Sequence, residues 1–256
     1  MKYIRLLPAL LWRVLFFTNL VLTLFIFYPF FYIFLSNKNW FKYAFRLKKI
    51  WAHFITFDVG VFYKINRSGK VNPEQTYVYC PNHTSYLDIM MSYIAIPQYF
   101  SFVGKAALEK IPLFGIFFKR KMDISIKRES LKASFSAIET AGSYLDQGIS
   151  ISIFPEGTIS GRAPHLLNFK NGPFKLAISR QVPIVPIVFH NNYKILPHEK
   201  DYFRSGPGIA RVSILDPIPT TGMNENDDIE RLKTLVREAI DNALGNHKRQ
   251  KVSHHE

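Results

Sequence analysis

Two short stretches of the 256-residue chain hold residue types that can do chemistry together. The first is Asn82-His83-Thr84-Ser85-Tyr86-Leu87-Asp88. On a continuous helix His83 and Asp88 would sit about 140° apart and miss each other. They meet if His83 precedes the helix, or lies in its first turn, and Asp88 points back from one turn later. Asp88 would then fix the tautomer of the imidazole and raise the basicity of its other nitrogen. Such a pair is a general base, and an alcohol proton is its natural target. The plainer reading is a capping Asn or Thr beside an incidental surface histidine. A metal site would need a second nearby His or Cys, which the stretch lacks, so no metal is expected.

The second stretch is Phe154-Pro155-Glu156-Gly157-Thr158. Gly157 allows close backbone approach, and the turn amides can face an anion or a hydroxyl. Glu156 can accept a hydrogen bond from a hydroxyl. Taken alone this is an ordinary strand-ending turn. Ser85 and Cys80 lie close to His83 but in no nucleophile-elbow sequence, so both read as structural. His165 and His190 fit no motif and read the same way.

Both stretches follow strand-like runs. Val59 to Ile65, Thr76 to Cys80, Phe100 to Val103, Met122 to Ile126, Ile149 to Phe154, Ile184 to Phe189 and Ile209 to Leu215 read as strands. Ser85 to Ile94, Ser130 to Gln147, Gly172 to Arg180 and Asp227 to Leu244 read as helices, with Gly148 as a stop. The alternation predicts an α/β sandwich around a mostly parallel or mixed sheet. In such folds sites gather at strand ends.

The N-terminus reads differently. Val14 to Leu35 contains no charged residue, long enough to cross a hydrocarbon core of about 30 Å as a helix. Asn19 interrupts the pattern, and Pro29 should kink it. No small-residue cleavage site follows, which argues against a signal peptide. Basic residues flank both sides, with a preference for a cytoplasmic C-terminal side. A re-entrant or interfacial anchor fits as well. Trp40, Phe41, Phe45, Ile50, Trp51 and Phe54 recur at roughly helical spacing among lysines and arginines. They fit either a helix at headgroup level or one packed on the domain. The expected layout is anchoring helices over 1–57, a catalytic domain over 58–246, and a disordered basic tail over 247–256.

The ordered set of motifs resembles the glycerolipid acyltransferases of the lysophosphatidic acid acyltransferase type. Asn82-His83-x4-Asp88 is similar to that family's NHx4D motif, and FPEGT at Phe154–Thr158 to its second signature. GKAALEKIPLFG from Gly104, DISIKRES around Arg128, NFKNGPFKLA from Asn168 and VPIVPIV from Val182 resemble the remaining blocks over roughly residues 60–220. The resemblance implies that His83 deprotonates a lysophospholipid hydroxyl, oriented by Asp88. The alkoxide would attack an acyl thioester of coenzyme A or acyl carrier protein, with no further cofactor. It also implies that Lys105 and Arg128 grip the acceptor phosphate, while Glu156, Gly157 and Thr158 hold its glycerol part, with Asn82 and Arg162 as further candidates. One position departs: the family commonly has Arg after FPEGT, and here it is Ile159. Another lyso-lipid acceptor, such as a lyso-aminolipid, therefore stays open.

Composition fits. Lys and Arg number 33 against 19 Asp and Glu, a net charge of +14 that suits an anionic membrane surface. The cations are dispersed and form no nucleic-acid reader motif. Cys80 is the only cysteine, which excludes an internal disulfide and a CxxC redox pair. The expected place is the inner (cytoplasmic) membrane, with the catalytic domain on its cytoplasmic side. A catalytically silent lipid-binding protein is the alternative from another class.

Overall fold

The structure is a computed structural model and describes residues 6–127, 130–198 and 204–245. Seven strands form one mixed sheet: β1 (Val61–Arg67), β2 (Val78–Pro81), β3 (Phe100–Lys105), β4 (Ile124–Ile126), β5 (Ser150–Ser152), β6 (Ile184–Phe189) and β7 (Gly208–Ile214). Their order is β1-β7-β6-β2-β5-β3-β4. All neighbours pair in parallel except β6 and β7. The fold class read from the sequence holds, with most strand ends shifted by one or two residues.

Alternation along the strands builds a core on each face. Tyr77, Tyr79, Phe100, Phe102, Val185, Ile187 and Phe189 point to one side. Val78, Cys80, Val103, Ile151, Ile184 and Val188 point to the other. That period of two makes both faces of the sheet hydrophobic and calls for helices on both. The second face is covered by α5 (Leu131–Asp146), α6 (Gly172–Ser179) and α8 (Ile229–Leu244). Helix α5 ends where expected: Gly148 adopts φ +76°, and Ile149 N–H returns to Tyr144 O at 2.9 Å. A single-turn helix, α4 (Ile116–Lys119), precedes β4, and another, α7 (Asn192–Ile195), follows β6.

The first face is covered by α1 (Leu6–Phe34), α2 (Phe41–Asp58) and α3 (Leu87–Ala95). Helix α1 runs through Pro29 without ending. Two of its polar residues face protein: Asn19 donates to Asp58, and Thr23 Oγ1 accepts from Trp51 Nε1 at 2.8 Å. Its outward side is exposed and largely apolar, including Leu11, Val14, Leu22, Phe25 and Ile26. By length and composition α1 could cross a membrane.

Helix α2 combines the two readings of its sequence. Phe41, Phe45 and Trp51 are buried against the domain, whereas Trp40, just before it, and Ile50, Phe54 and Phe57 are exposed. One contiguous core runs from α1 and α2 into the sheet, so these helices form a wall of the domain.

Candidate active site

The strand order brings β6, β2 and β5 side by side and in parallel, so their C-terminal ends open at one edge of the sheet. Asn82 and His83 follow β2, the Phe154–Thr158 turn follows β5, and Asn192 follows β6. This is where parallel α/β sheets collect ligand groups.

His83 precedes α3, and Asp88 lies in its first turn. The imidazole Nδ1 sits 3.0 Å from Asp88 Oδ2. The same oxygen accepts the backbone N–H of Thr84 at 2.5 Å and of Ser85 at 2.8 Å. Asp88 Oδ1 accepts from Asn192 Nδ2 at 2.8 Å. The carboxylate is fully buried, yet donors surround it, so a negative charge is tolerable there. With Nδ1–H donated to Asp88, Nε2 is the nitrogen left for a substrate proton. The ring lies flat on Phe154, at 3.7 Å between centroids and 6° between planes. His83 is thus fixed by a carboxylate at one edge and an aromatic face beneath.

Glu156 is placed otherwise than expected. It is 3% exposed, and its two carboxylate oxygens accept the backbone N–H groups of His83 and Leu167, each at 2.8 Å. The carboxylate pins the β2 and β5 loops to each other and does not line the cavity beside His83. Ser160 N–H adds a second tie, to His83 O at 2.7 Å. Asn82 is also structural. Its side chain exchanges two hydrogen bonds with the backbone of Phe189, extending the ladder between β2 and β6. The polar atoms of Glu156 and Asn82 are engaged by backbone in this structure, an arrangement that fits positioning roles.

Burial pushes the Glu156 carboxyl up from 4.5 to about 7, against the two N–H donors that favour its charged form. A folded-state value above the ordinary one contributes stability that is full below pH about 4.5 and is lost as pH rises through about 7. The window is worth about 3 kcal/mol. Glu156→Gln removes this titration and one of the two backbone acceptors. The variant is expected to melt below wild type at pH 5, with the gap narrowing toward pH 8, which thermal melts across that range would read. A gap independent of pH would contradict the assignment.

Gly157 has φ +74°, where a side chain is strained, and its N–H closes the turn onto Phe154 O at 3.1 Å. Gly157, Thr158 and Ile159 line the cavity. Among the described residues the backbone N–H groups of Thr158 and Ile159 have no hydrogen-bond partner.

The cavity has a volume of about 350 Å³. It runs from His83 and Phe154 past Phe102 and Met90 to Phe117 and Trp51, and is mostly apolar. Lys105, at the end of β3, is exposed and lines it. Arg162 is exposed and does not line it; its N–H is held by Ser160 Oγ at 3.1 Å. Ile159 therefore leaves an apolar wall uncompensated by Arg162. Arg128 lies outside the described residues, as does the 247–256 tail.

Sequence reasoning missed three groups: Asn192 behind Asp88, Phe154 as the platform under His83, and the floor of the cavity. A third polar strand end, His190-Asn191-Asn192 after β6, was a signal for the first. Cys80 is buried, with its thiol pushed up by desolvation, consistent with a structural role. His190 bonds Ser213 Oγ through Nε2 at 2.8 Å, away from the site.

Known proteins resemble this chain in sequence and fold. The acyltransferase family model matches residues 63–190. The chloroplastic 1-acyl-sn-glycerol-3-phosphate acyltransferase LPAT1 of Arabidopsis thaliana is 30% identical over 204 residues, covering 78% of this chain and 55% of the relative. The 1-acyl-sn-glycerol-3-phosphate acyltransferase alpha of Mus musculus is 30% identical over 182 residues, covering 71% and 63%. The chain thus spans less than two thirds of the length of these relatives. The crystal structure of the 1-acyl-sn-glycerophosphate (LPA) acyltransferase PlsC from Thermotoga maritima superposes with a TM-score of 0.77 at 21% identity, covering 97% of this chain and 98% of that one. That structure shares the fold. The family match spans the strand-end loops that hold His83, Asp88 and Glu156, and with it this chain belongs to the acyltransferase family.

Proposed function

We propose that this protein transfers an acyl group from a thioester to the free hydroxyl of 1-acylglycerol-3-phosphate, making phosphatidic acid for phospholipid synthesis. The observation that carries the reading is the His83–Asp88 pair at the head of an apolar cavity. Nε2 of His83 takes the hydroxyl proton as the oxygen attacks the thioester carbon, and Asp88 stabilises the imidazolium that forms. The tetrahedral oxyanion calls for donors, and the free N–H groups of Thr158 and Ile159 suit it. Collapse breaks the C–S bond. The thiolate leaves and is protonated by the imidazolium, so no covalent acyl-enzyme and no cofactor is needed. The cavity suits the donor's acyl chain. The thiol carrier is coenzyme A or acyl carrier protein. Lys105, with Arg128, provides cations for the acceptor phosphate.

The exposed apolar surface of α1 and α2 suits a lipid phase and keeps the site beside its lysolipid substrate. We place the domain on the cytoplasmic side of the inner membrane.

A second reading keeps the chemistry and changes the acceptor to another lyso-lipid, such as a lyso-aminolipid. Ile159 at the cavity wall and Arg162 outside it favour that reading. Thiol release from acyl-CoA and from acyl carrier protein donors, by detergent-purified protein with a panel of lyso-lipids, separates the two. Release that depends on lysophosphatidic acid supports the first reading. Release with other acceptors only supports the second. No release from either donor overturns both.

A further inference from the structure

At its inner end the apolar cavity meets a buried polar cluster that the reaction above does not use. Lys48 from α2 and Asp123 before β4 form an ion pair there, 3% and 5% exposed. Lys48 Nζ also donates to Tyr93 OH at 3.0 Å and lies 4.0 Å from the centre of the Phe117 ring. Asp123 Oδ1 accepts the backbone N–H of Phe102 at 3.1 Å. All three side chains line the cavity.

Hydrogen-bonding capacity is left over. The Tyr93 hydroxyl accepts from Lys48, but its own proton has no acceptor among the described residues. An ammonium has three donors, and Lys48 places two on oxygen, with an aromatic face nearby. A plain alkyl chain would leave these donors unused in a dry pocket, where unmade hydrogen bonds are costly. A buried ion pair is also a poor device for stability, since apolar side chains of similar volume usually serve as well. It lines the same cavity as the reacting centre. Ring-to-ring steps of 3.7, 5.4 and 6.1 Å lead from His83 through Phe154 and Phe102 to Tyr93.

We propose that Lys48, Tyr93 and Asp123 form a hydroxyl-recognition station inside the acyl cavity, so that the site selects acyl chains carrying a hydroxyl group over unsubstituted chains. The inference rests on the reading of this cavity as the donor's acyl site. The substrate hydroxyl takes a hydrogen bond from Tyr93 or Lys48 and donates its own to Asp123. A site built to hydrogen-bond a substrate group rejects the analogue that lacks it more strongly than an apolar pocket rejects an extra group.

The test is calorimetric titration of the full chain in detergent with thioether analogues of acyl-CoA, which bind without turning over. The analogues share one chain length and are unsubstituted or hydroxylated at C3, mid-chain or the terminal carbon. At least one hydroxylated analogue is expected to bind about 10-fold tighter than the unsubstituted one. In the Lys48→Met, Asp123→Leu double variant that preference falls to within about twofold, while the unsubstituted analogue binds at least as well as before. Tyr93→Phe, a smaller change should the double variant not fold, is expected to lower the preference severalfold. Equal binding of all analogues to wild type, or a preference untouched in the folded variants, overturns the station. Because binding is read without turnover, a preference without thiol release would keep the station and remove the transferase reading. Release without a preference would do the reverse.

Discussion

His83→Ala is expected to lower kcat/KM for acyl transfer by about 10³-fold, within the range that a positioned general base contributes. The fold should survive the change. Asp88 keeps the N–H groups of Thr84 and Ser85 and the amide of Asn192, so its buried charge stays satisfied without the imidazole. The backbone N–H of His83, held by Glu156, is untouched. What is lost is the ring stacked on Phe154, worth about 1 kcal/mol. The variant should therefore bind donor and acceptor and melt within a few degrees of wild type, while thiol release falls by that factor. Steady-state kinetics with matched thermal melts provide the check. Retention of more than a tenth of the activity would remove His83 from the chemistry.

Much of this site was legible because its chemistry is local. His83 and Asp88 are close in sequence, and the strand-to-helix boundary between them follows from the apolar run ending at Cys80 and the helical pattern beginning near Ser85. Elements that pack across the sheet were less legible. Alternation tells which face of β6 a residue occupies, but not that β6 lies beside β2, so Asn192 could not be set behind Asp88. Glu156 was read as a substrate ligand because a carboxylate in a turn can accept from a hydroxyl and because the resemblance implied it. The bonds it accepts from His83 and Leu167 are contacts between loops that no periodicity encodes. In α2 the apolar residues occupy two faces for two reasons, sheet contact and outward exposure. A single amphipathic stripe therefore described neither. Lys48 belongs to the basic flank that follows the apolar run, and the fold turns it inward to Asp123, a pairing across the fold that no local pattern encodes.

Asp88→Asn separates the catalytic from the structural part of the pair. An amide offers one oxygen and one NH₂ group where the carboxylate offered two acceptors. If its oxygen takes the place of Oδ2, the bonds from Thr84, Ser85 and His83 Nδ1 persist. Its NH₂ then faces Asn192, whose own Oδ1 has no partner in the native site, so a flip of the Asn192 amide supplies an acceptor. The variant is thus expected to fold, at a cost of about 1–3 kcal/mol as charge-assisted bonds become neutral ones. The chemistry suffers more. The imidazolium that forms as His83 takes the hydroxyl proton no longer faces a negative charge, an interaction that exists only as the proton moves. Such a loss appears in kcat, with KM little changed. The expected fall is about a hundredfold or more, approaching that of His83→Ala. A raised KM with kcat intact would make Asp88 a scaffold for the strand-end loop only. A kcat loss in a variant that still folds, with only that modest drop in melting temperature, places its charge in the transition state, where the buried carboxylate and its ring of donors suit it.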